Sequence, residues 1–68
     1  MMPLSARNQL KGKVVSVKLG TVMSEVVVDI GGQEMVAAIT RASAETLGLK
    51  KGNRVTVVVK STDVMISK

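Results

Sequence analysis

Three places in this 68-residue chain set small hydroxyl side chains beside fixed positive charge. Ser5-Ala6-Arg7-Asn8-Gln9 stands near the start, Thr40-Arg41-Ala42-Ser43 closes an apolar run in the middle, and Lys60-Ser61-Thr62 separates two apolar runs near the end. A guanidinium such as that of Arg7 grips two oxygens of one anion at once. Lys60 adds a point charge, and Ser61 adds a hydroxyl at a turn. Thr40 and Ser43 fall at a helix start, where free backbone N–H groups and the helix dipole favour negative charge. Taken singly, these are an ordinary solvated arginine, a helix cap and a turn. Repeated at three joints, they form the donor set of a tetrahedral-oxyanion binder, with Ser5, Arg7, Thr40, Ser43, Lys60 and Ser61 as its candidate ligands.

Little else in the chain can do chemistry. Cysteine is absent, which removes disulfides, thiolate metal sites and a thiol nucleophile. Histidine is absent too, and with it the usual general base and transition-metal ligand. The carboxylates Glu25, Asp29, Glu34, Glu45 and Asp63 are scattered without metal-ligand spacing. The expectation is therefore no enzyme, and no metal held directly by side chains. Ten Lys and Arg against five acids leave a formal charge of +5, which suits phosphate backbones, anionic membranes or small anions. No apolar run approaches the roughly 20 residues that span a bilayer, and Met1-Met2-Pro3-Leu4 lacks the basic start and long apolar stretch of a signal peptide. These readings point to a cytoplasmic protein without a membrane partner.

The elements that must position the three joints are mostly strands. Thirteen valines and period-two patterning dominate. Leu10–Leu19 reads as a first strand whose alternation is imperfect, with Gly12 the expected bulge. After a turn at Gly20-Thr21, Thr21–Ile30 reads as a second strand, with Val22, Val26, Val28 and Ile30 on one face. Gly31-Gly32 supplies a tight hairpin, and Met35–Thr40 is a third strand with Met35, Ala37 and Ile39 in register. The period then changes: residues 41–47 are helix-compatible, with Thr40 as N-cap and Gly48 as C-terminal cap. A turn over Lys50-Lys51-Gly52-Asn53 leads to a fourth strand, Arg54–Lys60, and Thr62–Ser67 reads as a short fifth. The expected fold is all-β: one domain over residues 1–68, an OB-like five-stranded barrel with one short helix between strands 3 and 4.

Val27 lies opposite Val26 and Val28, and Val58 opposite Val57 and Val59, so two strands are apolar on both faces. A monomeric barrel buries only its inner face. With 46% hydrophobic residues and no aromatic one, a chain this short gains from covering the second face in an oligomer.

Ser5-Ala6-Arg7-Asn8-Gln9-Leu10, the segment Lys60-Ser61-Thr62-Asp63-Val64-Met65 and the β-rich middle resemble the Mop, or TOBE, domain. Its stand-alone members are the molbindins, and the resemblance covers nearly the whole chain. It implies an OB-like fold, six chains assembled as a trimer of dimers, and cytoplasmic binding of molybdate or tungstate. It further implies that Ser5 and Arg7 of one chain face Thr40, Ser43, Lys60 and Ser61 of a neighbour. A pterin site is not implied: no Phe, Tyr or Trp is available to stack on a pterin ring, and no Walker A motif marks a nucleotide site.

Two other classes compete. OB barrels often bind single-stranded nucleic acid, and a pI near 10.1 suits phosphate, but such surfaces stack bases on aromatic residues for about 1–3 kcal/mol per base, and this chain has none. The other is a structural assembly module whose basic joints are solvated turns.

Overall fold

A computed structural model describes residues 7–68. Its elements run β1 (Asn8–Leu19), β2 (Met23–Asp29), β3 (Glu34–Thr40), α1 (Arg41–Leu47) and β4 (Arg54–Val59), followed by a single 3₁₀ turn at Ser61–Asp63. The strands form one curled antiparallel sheet in the order β3-β2-β1-β4. β1 is shared. Its first half pairs with β4, from Asn8↔Val59 to Lys13↔Arg54, and its second half pairs with β2, from Lys13↔Asp29 to Leu19↔Ser24.

Two local devices let β1 curl between these neighbours. The register slips between Val14↔Val28 and Ser16↔Val27, so the bulge is at Val15 and not at the expected Gly12. An extra residue there resets the alternation: Gly12 and the buried Val14 turn inward before it, and Val17 turns inward after it. That reset is why the sequence pattern of this strand is imperfect. Gly12 has a different task, which is close approach. A Cβ there would stand 2.5 Å from Val28 Cγ1 and 2.7 Å from the Asp29 carbonyl oxygen.

The core is small. Val14, Val26 and Val28 are buried, with Val17, Ile30, Ala37, Ile39, Leu49, Val55 and Val57 packed around them. The helix contributes the buried Ala44. β2 begins at Met23, so Val22 is outside the strand and 70% exposed, and the inward position expected for it falls to Ser24, a buried serine. Asp29, at the end of β2, caps the hairpin: its Oδ1 accepts the N–H groups of Gly31 and Gly32, both at 3.0 Å, where the glycines take φ of +105° and +93°. These two bonds, Gly32 first, hold the Asp29 carboxyl below its ordinary value.

The fifth strand is a correction. Among the described residues there are four strands, and the chain after Val59 turns through the 3₁₀ turn, with Asp63 N–H donating to the Lys60 carbonyl at 2.9 Å. Val64–Lys68 joins no ladder, and Met65 and Ile66 are about nine-tenths exposed. The alternation in this segment is genuine, but a strand also needs a neighbour to supply backbone hydrogen bonds. None lies beside it among the described residues.

Candidate functional site

Lys60 leaves β4 one residue beyond Val59, and Arg7 enters β1 one residue before Asn8. Because Asn8 pairs with Val59, the antiparallel ladder sets these two basic residues side by side. With Ser61 and Thr62 they line an open cleft of about 400 Å³. Among the described residues, no side-chain hydrogen bond or ion pair engages Arg7, Lys60 or Ser61. The cleft thus presents a guanidinium, an ammonium and two hydroxyls, the donor set of an oxyanion site. Thr62, named in the sequence pattern but left out of the candidate set, joins it through the 3₁₀ turn.

Thr40 and Ser43 lie elsewhere. Thr40 pairs with Met23, next to the far end of β1, where Leu19 pairs with Ser24. β1 is twelve residues long; at about 3.3 Å per residue, its two ends are separated by several times the width of a tetrahedral ion. The middle joint is also closed on itself. Thr40 Oγ1 accepts the Ser43 N–H at 3.1 Å and donates to Ser43 Oγ at 2.8 Å, the expected N-cap. This leaves the Ser43 hydroxyl proton as the one side-chain donor that the pair can still offer. Arg41 is occupied as well: its Nε donates to Glu45 at 3.3 Å and its guanidinium to the Gly20 carbonyl at 3.3 Å, while its backbone N–H donates to the Val22 carbonyl at 2.7 Å. Arg41 thereby fastens the helix to the β1–β2 turn.

Of the six residues picked from the sequence, the structure therefore brings Arg7, Lys60 and Ser61 together within one chain and holds Thr40 and Ser43 at the opposite end of β1. Ser5 lies outside the described residues. The resemblance had assigned Arg7 to one chain and Lys60 to its neighbour. The Asn8↔Val59 register, which no local pattern reveals, already unites them.

The TOBE domain family matches residues 4–66 of the chain. Molybdenum-pterin-binding protein 3 of Clostridium pasteurianum is 58% identical over 66 residues, which are 96% of this chain and 97% of that protein. The solved structure of a molybdate-binding protein from Sporomusa ovata superposes with a TM-score of 0.94 at 43% identity, over 98% of this chain and 100% of that one. The cytoplasmic molybdate-binding protein ModG, solved with molybdate bound, gives a TM-score of 0.84 at 43% identity; 88% of this chain matches 43% of that longer one. Fold and sequence agree: this chain belongs to the TOBE family and is a Mop protein, a molbindin.

Proposed function

We propose that this protein binds molybdate, or tungstate, as an intact dianionic tetrahedron and serves to store and buffer it in the cytoplasm. The observation that carries this reading is the cleft in which Arg7, Lys60 and Ser61 converge, their side chains engaged by no hydrogen bond or ion pair among the described residues. The names of its relatives point to the same ligand. The proposed ligand set is Ser5, Arg7, Thr40, Ser43, Lys60 and Ser61. Since one chain holds these groups at both ends of β1, a second copy must complete the site, with its Thr40–Ser43 joint meeting the Arg7–Lys60 cleft. We read the curled sheet as OB-like and the working form as an oligomer, a hexamer by resemblance.

The surface supports assembly. Val22, Val36, Leu47, Met65 and Ile66 are each more than 60% exposed. Calorimetric titration with molybdate, tungstate, sulfate and a short oligonucleotide tests the ligand. Molybdate and tungstate should bind, sulfate more weakly because it is smaller, and the oligonucleotide only weakly and with strong salt dependence. Sedimentation at micromolar concentration tests the assembly, and a persistent monomer would defeat the shared site.

A further inference from the structure

A second group of cations lies away from Arg7 and Lys60. Lys13 is the residue at which β1 changes neighbours: it faces Arg54 of β4 on one side and Asp29 of β2 on the other. Two residues back on the same face, Lys11 pairs with Thr56. These side chains line an open cleft of about 540 Å³ in which Gly12 adds no side chain. Like charges directly opposite one another destabilise an antiparallel pair, and Lys13–Arg54 is such a pair.

Among the described residues no ion pair relieves it, the one ion pair being Arg41–Glu45. Asp29, opposite Lys13 on β2, brings a single negative charge, its Oδ1 accepting the N–H groups of Gly31 and Gly32, against the three positive charges of Lys11, Lys13 and Arg54. A small domain with a thin core carries this repulsion at a cost in stability, a local inconsistency of the kind that marks functional sites. An anion seated in the cleft would convert it to attraction.

The Cα atoms of Lys11 and Lys13 are about 7 Å apart along the strand, and that of Arg54 about 5 Å across from Lys13. The open cleft of about 540 Å³ that these side chains line has room for more than one tetrahedral group, and so for a short chain of anionic groups. We propose that the Lys11–Lys13–Arg54 cleft binds a small linear polyphosphate group, free or as the phosphate chain of a nucleotide. Lys13 and Arg54 grip one phosphate, Lys11 the next, and Asp29 bounds the site by repulsion.

The test is calorimetry on the full chain at physiological salt with inorganic triphosphate, ATP and monophosphate. Triphosphate should bind more tightly than monophosphate. ATP equal to triphosphate identifies the phosphate chain as the whole determinant, since no aromatic side chain is present to hold a base; ATP binding where triphosphate does not would overturn the proposal. Lys13→Gln and Arg54→Gln should each weaken triphosphate by about tenfold or more, the scale of a hydrogen bond to a charged group. Asp29→Asn, which keeps the turn acceptor, should tighten it. Lys13→Gln should also raise the melting temperature of the free protein, so a loss of binding is not a loss of fold. Molybdate titration of Lys13→Gln should match wild type, which separates failure here from failure of the oxyanion reading. The cleft is refuted if Lys60→Met or Lys18→Gln weakens triphosphate as much as Lys13→Gln, if Asp29→Asn weakens it, or if a single-stranded oligonucleotide outcompetes triphosphate.

Discussion

The two ends of β1 carry similar residue types and use them differently. At the Leu19 end, the hydroxyls of Thr40 and Ser43 bond to each other and to the helix backbone, and Arg41 is divided between Glu45 and the Gly20 carbonyl. These groups are engaged within the fold, with the Ser43 hydroxyl proton as the one side-chain donor the hydroxyl pair still offers. At the Asn8 end, Arg7, Lys60 and Ser61 line a cleft and hold nothing else within the described chain. A hydroxyl beside a cation is thus structural where a helix start can absorb it. It remains available as a ligand where the chain leaves a strand and its side chains face an opening.

Lys60→Met should cut most sharply along this divide. On the proposed site it would remove a charge-assisted hydrogen bond at the open end, and it should weaken molybdate binding roughly ten- to hundredfold, with little change in melting temperature. Arg7→Lys, which keeps charge but loses the planar fork, should cost less than Lys60→Met yet clearly more than nothing. Lys50→Met, in the turn before β4, is the control, with only a small salt-dependent effect expected. Equal losses at Lys50 and Lys60 would mean a diffuse basic surface and no open joint.

Gly12→Ala probes the strand connecting the two ends. Its Cβ would collide with Val28 and the Asp29 backbone, an overpacking cost of about 1–3 kcal/mol in denaturant unfolding. At the closed end, Thr40→Ala should cost about 1 kcal/mol of stability through the lost cap. Affinity should fall less than for Lys60→Met; a larger fall would make the Thr40–Ser43 joint, and not the Arg7–Lys60 cleft, the dominant half of the shared site. The smallest effect lies at the hairpin. Asp29 titrates below its ordinary value in the folded chain, so its contribution is present above the unfolded carboxylate value and is lost as pH falls through the folded one. Asp29→Asn should therefore flatten the acid limb of the stability profile below about pH 4.

Elements fixed by neighbouring residues were legible in the sequence. The Gly31-Gly32 hairpin, helix 41–47, the Thr40 cap and the Gly48 terminus, with φ of +62°, each depend on contacts within four residues or so. What escaped depends on pairing across the chain. Nothing near Asn8 announces that it meets Val59, so the union of Arg7 with Lys60 was hidden although both were picked out. The imperfect alternation of β1 was visible, but glycine was a more obvious sign of a bulge than Val15. Residues 62–67 had a strand's pattern without a neighbour among the described residues to make it one.

The bulge at Val15 also determines what kind of change the chain can absorb. Deleting that one residue would leave Val14 opposite Val28 and Ser16 opposite Val27 in an unbroken ladder, with both halves of β1 keeping their present faces. What would go is the local bend and added twist by which β1 passes from β4 to β2. β1 therefore needs its extra residue for curvature, and its length matters to the shape of the sheet. Insertions belong instead in the exposed turn between β2 and β3, beyond the two glycines whose N–H groups Asp29 holds. In an engineered or diverging copy of this fold, new sequence is best carried by the hairpin, while β1 keeps its residue count.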